Sequence, residues 1–161
     1  MASPASIAKH PIHPILVTLP IGLWIFSLAS DVIFLMQWGP SVWKDVALYT
    51  MGGGIIGALL AAVPGLVDLL SMSKGPVRRL GIWHMCINLI VVALFAVNFW
   101  LRTTATAQQP IPLWLSVIGV VLMFIAGWLG GEIVHVYGVT VEPHPVSGQP
   151  QVTTHEPRRA A

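Results

Sequence analysis

Charged side chains divide this chain into four long stretches that carry no charge and consist mainly of apolar residues. The stretches contain 21, 22, 22 and 29 residues, and they lie between Lys9 and Asp31, Asp45 and Asp68, Arg79 and Arg102, and Arg102 and Glu132. A helix of about 20 apolar residues crosses the hydrocarbon core of a bilayer, which is about 30 Å thick. The pattern therefore predicts four transmembrane helices, near residues 11–36, 46–71, 79–101 and 111–137.

The connections between the predicted helices are short, and this sets the fold class. They comprise about residues 37–45, 72–78 and 102–110. Loops of this length join neighbouring helices that run in opposite directions, so we expect an all-α membrane protein, an antiparallel up-down bundle of four transmembrane helices. Proline inside a helix removes a backbone hydrogen bond, so Pro20 and Pro64 predict kinks in the first and second helices.

The chain divides into three predicted segments. A short N-terminal segment, 1–10, precedes the four-helix transmembrane domain, 11–140, and a tail follows at 141–161. The tail contains four prolines and shows no apolar periodicity. We therefore expect the tail to be disordered.

Composition excludes several classes of protein. Of the 161 residues, 55% are hydrophobic and only 9% are charged, and the mean hydropathy is +0.79. Soluble domains contain roughly 25% charged residues, so this chain is not a soluble globule. Cys86 is the one cysteine, which excludes a disulfide framework and a multi-cysteine metal site. The sequence shows no nucleophile with a base, phosphate loop or nucleic-acid surface, so we expect neither a catalyst on its own nor a nucleic-acid binder.

Basic residues are divided unequally between the two predicted sides of the membrane. The side away from the termini is predicted to carry two, Lys44 and Arg102. The side of the termini is predicted to carry six, which are Lys9, Lys74, Arg78, Arg79, Arg158 and Arg159. Because basic loops stay in the cytoplasm, we predict that both termini are cytoplasmic. An aromatic belt at the opposite interface is predicted from Trp38, Trp43, Trp100 and Trp114.

Small and amide residues inside the helices predict packing contacts. Small residues at spacings of three and four let helix backbones approach in lipid. They recur in the second helix at Gly52, Gly53, Gly54, Gly57, Ala58, Ala61, Ala62 and Gly65, and in the fourth helix at Gly127 and Gly131. We predict helix–helix contacts at these positions, and interhelical hydrogen bonds from Asn88 and Asn98.

Six ionisable residues are predicted to lie at one depth in the membrane, near the cytoplasmic face. They are His10 and His13 at the start of the first helix, Asp68 at the end of the second, His84 at the start of the third, and Glu132 and His135 at the end of the fourth. An ionisable side chain inside a membrane costs about 2.5–3.5 kcal/mol on insertion scales. A cluster drawn from all four helices therefore predicts paired partners or a bound group.

A haem b is the group that this setting favours. In membrane bundles it takes axial histidines from facing helices. The placement of residues also indicates an internal repeat, since helices one and three begin with a histidine and helices two and four end with a carboxylate. Repetition about an axis along the membrane normal would set His13 against His84, so these two are the predicted axial ligands.

Further residues complete the predicted haem site. Arg78 and Arg79 are expected near the propionates, and Asp68 is expected to orient a histidine through its other ring nitrogen. His10 and His135 are predicted as second partners of the site or as an alternative pair of ligands.

Two alternatives remain open from the residues alone. The first is a non-haem copper, zinc or iron site built from His10, His13, His84 and His135, with Glu132 as a further ligand. The second is a structural or accessory membrane subunit without a cofactor, in which the polar cluster specifies packing.

Several short motifs resemble a known family. They are His10-Pro-Ile-His13-Pro14 followed by Leu19-Pro-Ile-Gly22, Val67-Asp68, Trp83-His84, Gly127-Trp-Leu-Gly-Gly131 and Tyr137-Gly-Val139. Together they resemble the bacterial membrane proteins grouped as domain of unknown function 2231, over about residues 8–142. Family members often have tyrosine where this chain has His135. The resemblance therefore leaves His13 and His84 as the better ligands.

The resemblance also implies a setting for the predicted site. The family is similar in layout to small b-type cytochromes and to membrane redox subunits. It implies a multi-pass protein of the bacterial inner membrane that binds haem b and transfers electrons. The expected partners are the lipid bilayer and a redox protein or quinone, and the sequence leaves open whether the chain forms a homodimer.

Overall fold

The computed structural model describes residues 4–8, 10–104 and 110–139. These residues form two short strands and five helices. They are β1 (Ser6–Ile7), β2 (His10–Pro11), α1 (Ile12–Leu16), α2 (Thr18–Leu35), α3 (Val42–Ser71), α4 (Pro76–Thr103) and α5 (Ile111–His135). The predictions for the tail at 141–161 lie outside the described residues.

Four helical spans in the described part of the chain are long and apolar enough to cross a membrane. The first comprises α1 and α2, Ile12–Leu35, and α3, α4 and α5 are the other three. These spans agree with the four predicted from the uncharged stretches, so the all-α membrane fold class is confirmed. The predicted ends differ from the observed ones by a few residues.

The first span is interrupted at Val17, one turn before Pro20. Proline has no N–H to donate to the carbonyl four residues earlier, which here belongs to Leu16, the last residue of α1. The helix resumes at once, because the Ile21 N–H donates to the carbonyl of Val17 at 3.3 Å. The kink predicted from Pro20 is thus present as a break, whereas α3 continues through Pro64.

A small antiparallel strand pair precedes the first helix and was not predicted. Ser6 is opposite Pro11 and Ile7 is opposite His10. The N–H of Ile12, the first residue of α1, donates to the carbonyl of Ala5 at 3.0 Å. The pair therefore folds the N-terminal segment back on itself and fixes the point where the first span begins.

Contacts within each helical hairpin show the direction of its helices. Along α2, Trp24 donates to the carbonyl of Met51 and Ser27 donates to that of Ala47. The residue number rises in α2 as it falls in α3, so the two helices run antiparallel. The pair α4 and α5 does the same, since Gly119 lies against Phe95 and Ser116 accepts from Asn98, further along α4.

The core lies where the two hairpins meet. The rings of Trp24 and Phe95 are stacked, with centroids 4.3 Å apart and planes at 7°. A Cβ on Gly54 would lie 2.4 Å from Nε1 of Trp24, and one on Gly119 would lie 2.7 Å from Cε2 of Phe95. These two glycines are therefore required for the large rings to reach the centre of the bundle.

The two hairpins are structural repeats. Residues of the first span correspond to residues of α4 that lie 71 positions later: His13 and His84, Trp24 and Phe95, Ser27 and Asn98, and Asp31 and Arg102. Residues of α3 correspond to residues of α5 that lie 65 positions later: Ala47 and Pro112, Gly54 and Gly119, Ala61 and Ala126, and Gly65 and Gly130. Equivalent residues make equivalent contacts in both halves.

An approximate two-fold axis relates the repeats. Residues on such an axis contact their own equivalents. This is observed three times, in the pairs His13 with His84, Trp24 with Phe95, and Asp31 with Arg102. The axis therefore passes through the middle of the bundle and parallel to the helices that carry these residues.

The carboxylates that indicated the repeat do not obey it. The equivalent of Asp68 is Ile133, and the equivalent of Glu132 is Val67. The two acids are thus one residue out of register, which turns them by about 100° around their helices. The predicted equivalence of the carboxylates is wrong, although the repeat that it indicated is present.

Candidate functional site

The structure brings together His13 and His84, the two residues predicted as axial ligands. Their ring centroids are 6.2 Å apart and the ring planes form an angle of 83°. His13 lies in the first turn of α1, and His84 lies two turns into α4. Both side chains are half-buried. The pair lies on the two-fold axis, at the end of the bundle opposite Asp31 and Arg102.

A backbone carbonyl of the neighbouring helix holds each histidine ring. Nδ1 of His13 lies 2.8 Å from the oxygen of Ala61 in α3, and Nδ1 of His84 lies 2.8 Å from the oxygen of Ala126 in α5. A carbonyl only accepts, so Nδ1 is the donor in both rings. A neutral imidazole that donates from Nδ1 has its lone pair on Nε2. Both rings are therefore fixed in the tautomer that binds a metal through Nε2.

Glycine one turn beyond each carbonyl makes room for the ring. A Cβ on Gly65 would lie 2.6 Å from Nδ1 of His13, and a Cβ on Gly130 would lie 3.0 Å from Cε1 of His84. The sequence contains a signal for this arrangement, since α3 and α5 each place alanine four residues before the glycine. Ala61 and Gly65 were predicted as helix contacts, and neither they nor Ala126 and Gly130 were assigned to the histidines from the sequence.

Asn88 bonds to His84 of its own helix. Its Nδ2 lies 2.9 Å from the backbone oxygen of His84 and 3.1 Å from Nε2 of the ring. The predicted interhelical bond of Asn88 is therefore wrong, because the side chain lies within reach of the residue one turn earlier. A ligand that binds Nε2 of His84 would replace the contact of the Asn88 amide with the ring. The bond of this amide to the backbone oxygen of His84 would remain.

The other predicted histidines do not join the pair. His10 is exposed in β2, with Nδ1 2.8 Å from the oxygen of Ala8. His135 is exposed at the end of α5, one turn beyond Glu132. Within the described ranges, no group of three or more His, Cys, Asp or Glu could hold a metal ion. The four-histidine non-haem site is therefore not assembled by these residues.

The remaining predicted residues lie at the same end of the bundle. Asp68 is buried in the last turn of α3. In the first turn of α4, Arg78 is half-buried and Arg79 is exposed. Nδ1 of both histidines in the pair donates to a backbone carbonyl, of Ala61 and of Ala126, so at this nitrogen of the two rings the orienting bond comes from the backbone.

A buried ion pair at the opposite end of the bundle was not predicted from the sequence. Arg102 donates to both carboxylate oxygens of Asp31, at 2.6 and 2.7 Å, and its Nε donates to Oδ1 of Asn98 at 2.9 Å. Asp31 is 3% exposed and the Arg102 side chain is 10% exposed. In the sequence, Asp31 served only as the end of an uncharged stretch and Arg102 also as a basic residue of one membrane side. Their positions are 71 residues apart, as are those of His13 and His84, and this spacing could have indicated the contact.

Asn98 extends this ion pair into a network across α4 and α5. Its Nδ2 donates to the carbonyl of Pro112 at 2.8 Å and to Oγ of Ser116 at 2.9 Å. The interhelical hydrogen bond predicted from Asn98 is thereby confirmed. Because every polar atom of the network has a partner, its burial is compatible with the apolar surroundings.

A groove of about 540 Å³ lies on the outer face of α5, next to α2. Its lining comprises Ile21, Met123, Phe124, Gly127, Trp128, Gly131, Glu132, His135 and Val136. A Cβ on Gly127 or Gly131 would meet no atom within 4 Å. The packing contacts predicted for these two glycines are therefore wrong within the described part of the chain, and both residues border open space.

The fold and the four apolar spans define a multi-pass helical membrane protein. Over residues 9–143 the chain matches the family described as predicted membrane protein, DUF2231, and it belongs to this family. No curated protein and no solved structure matches the chain.

Proposed function

We propose that this membrane protein binds one haem b between His13 and His84 and acts as an electron carrier. The observation that carries the proposal is the pair itself. Two imidazoles from different hairpins lie next to each other on the two-fold axis with nearly perpendicular planes, and each ring is held by a carbonyl bond at Nδ1. A metal-binding histidine commonly makes this bond with its second nitrogen, because the bond orients the ring and raises the basicity of the ligating nitrogen.

The number of ligands favours haem over a bare metal ion. Zinc and copper sites in proteins use three or four side-chain ligands. The described residues bring only two histidines together. A porphyrin supplies four ligands itself and needs just two axial ones from the protein. The pair therefore supports the haem alternative.

The separation of the rings is compatible with a shared ion. Imidazoles that ligate one metal at about 2 Å from each ring nitrogen have centroids about 6 Å apart. The observed distance between the His13 and His84 centroids is 6.2 Å. Gly65 and Gly130 allow both rings to take up these positions, because a side chain at either glycine would displace its histidine.

Each part of the chain has its own contribution to the proposed function. Bound haem would supply reversible one-electron chemistry at iron. The carbonyls of Ala61 and Ala126 keep the histidine rings oriented. Arg78 and Arg79 at the start of α4 are the basic residues proposed for the propionates. Electron transfer needs no further acid, base or nucleophile from the protein.

The proposed setting is the inner membrane of a bacterium, with both termini in the cytoplasm. The distribution of Lys and Arg in the sequence supports this orientation. The histidine pair would then lie near the cytoplasmic face, and the ion pair of Asp31 and Arg102 would lie near the outer one. A redox partner of the haem would approach from the cytoplasmic side or from the lipid.

The absorption spectrum of the purified protein tests the proposal. Protein purified in detergent is expected to show a Soret band and, after reduction with dithionite, sharp α and β bands. His13→Ala and His84→Ala are expected to lose these bands because each removes one axial ligand. His10→Ala and His135→Ala are the matched controls, and both are expected to keep them.

Two measurements decide the outcome even where a variant folds poorly. Addition of imidazole to His84→Ala is expected to restore part of the Soret band, since the free base occupies the vacated position. A colourless wild-type protein overturns the haem proposal. Elemental analysis of that sample then separates a copper or zinc protein from a scaffold without a cofactor.

A further inference from the structure

The groove on α5 has two chemically different parts. Most of its lining is apolar, from Ile21, Met123 and Phe124 to Trp128, and Trp128 is 77% exposed. Two polar side chains, Glu132 and His135, stand together near the end of α5. Its volume of about 540 Å³ falls within the range of about 300–1,000 Å³ that is usual for small-molecule sites. Its shape therefore suits an amphiphile with an apolar tail and a polar head.

The charges of the lining select the kind of head. Glu132 is the one acid and His135 the one imidazole among the lining residues that the structure describes, and this lining has no Lys or Arg. A phosphate head at this end of the groove would meet the carboxylate of Glu132, and the described lining offers no Lys or Arg to offset the repulsion. A neutral head with carbonyl oxygens avoids this repulsion and can accept a hydrogen bond from His135. The lining thus disfavours a phospholipid and favours a neutral carbonyl compound.

The groove adjoins the histidine pair along α5. Ala126 and Gly130 contact His84, and Gly127 and Gly131, the next residues in the chain, line the groove. The two sites therefore occupy neighbouring faces of the same two helical turns. A ligand that exchanges electrons would lie next to the proposed haem.

We propose that this groove binds an isoprenoid quinone, with the quinone ring at Glu132 and His135 and the tail along Met123 and Phe124. The redox role of this quinone rests on the proposed function, since a membrane quinone is a redox partner for a haem. Its binding site, however, is defined by the groove alone and can be tested separately.

Two glycine substitutions give a matched test of the site. Gly131→Leu fills the groove, and Gly22→Leu adds the same side chain outside it; neither Cβ would meet an atom within 4 Å. Decylubiquinone is titrated into the full chain in detergent, and binding is followed by quenching of tryptophan fluorescence. We expect binding to Gly131→Leu to be about tenfold weaker than to the wild type and binding to Gly22→Leu to be unchanged. Equal affinities for all three proteins overturn the proposal.

A second probe tests whether the head of the ligand matters. Decylbenzene has the same tail as decylubiquinone but no carbonyl oxygens. We expect the wild type to bind decylubiquinone more tightly, and His135→Ala to reduce this preference because the hydrogen bond is lost. If both probes bind equally well to the wild type, the groove holds a lipid chain and the quinone assignment is wrong.

The spectrum of the same samples separates this inference from the proposed function. Gly131→Leu is expected to lose decylubiquinone binding while it keeps the Soret band. If the protein binds decylubiquinone in the groove but shows no Soret band, the proposed quinone site is supported and the haem proposal is overturned. A protein that shows the Soret band but does not bind decylubiquinone specifically supports the haem and overturns the quinone site.

Discussion

Buried polar residues in this bundle have partners that match them in number and geometry. Asp31 receives two hydrogen bonds from Arg102, and Asn98 and Ser116 occupy further donors of the same guanidinium. An ion pair without such bonds would be costly in an apolar interior. The completeness of the network indicates that Asp31 and Arg102 depend on each other as partners.

The first prediction concerns this dependence. Arg102→Met leaves the carboxylate of Asp31 buried without a cation, and we expect a loss of about 3–5 kcal/mol in the free energy of unfolding. The double variant Asp31→Leu with Arg102→Met removes both charges and is expected to recover most of that loss. Thermal unfolding in detergent measures both effects. A double variant as unstable as the single one would contradict the interpretation.

Single residues also show how far a sequence can predict a site. The pair His13 and His84 could be found because histidine is unusual in an apolar helix and because an axis related the two residues. The hydrogen-bond partner of Asn88 could not be predicted, since an asparagine amide can bond to a residue of its own helix as well as to one of a neighbouring helix. The carbonyls of Ala61 and Ala126 that hold the histidine rings could not be predicted either, because backbone carbonyls have no signature in the sequence.

At the scale of helices, hydropathy predicted the four spans, and proline predicted the break before Pro20. The strand pair at Ser6–Ile7 and His10–Pro11 was not predictable, because two residues are too few to show a periodicity. Spacing of small residues identified helix faces but not what they contact. In α3 the face packs against the first span, whereas Gly127 and Gly131 of α5 border a groove.

The second prediction compares two glycines of α5. The Cβ of Gly119→Ala would lie 2.7 Å from Cε2 of Phe95, whose ring is fully buried and stacked on Trp24. Since the ring cannot move aside, we expect a loss of stability of about 1–3 kcal/mol. Gly127→Ala meets nothing and is expected to be neutral or more stable by up to about 1 kcal/mol.

Unfolding of both variants in one detergent provides the measurement. The difference between them cancels the common effect of alanine on the helix backbone and leaves the contact with Phe95. Equal stabilities would show that the stack of Phe95 on Trp24 is not tightly packed.

At the scale of the whole molecule, the two hairpins assemble one site that neither contains alone. Each hairpin contributes one histidine, one carbonyl and one glycine, and the two halves meet along the axis. The proximity of His13 and His84 was predictable from this repeat. The register of Asp68 and Glu132 in the repeat was not predictable, because a comparison of helix ends cannot resolve a shift of one residue.

The third prediction concerns orientation in the membrane. In a Cys86→Ser background, Thr104→Cys is expected to react with a membrane-impermeant thiol reagent added to intact cells, and Lys74→Cys is expected to react only after lysis. The reason is the excess of basic residues on the side of Lys74. The reverse pattern of labelling would place the histidine pair near the outer face.

The contact between Asp31 and Arg102 has a consequence for how the two halves can assemble. A symmetric dimer of the first hairpin would bring two aspartates together on the axis, and a dimer of the second would bring two arginines together. Like charges in an apolar interior repel strongly, so self-association of either half is disfavoured. The opposite charges therefore favour pairing of the first hairpin with the second. Two copies of the same hairpin cannot replace this pair, although the two halves of the fold are related by symmetry.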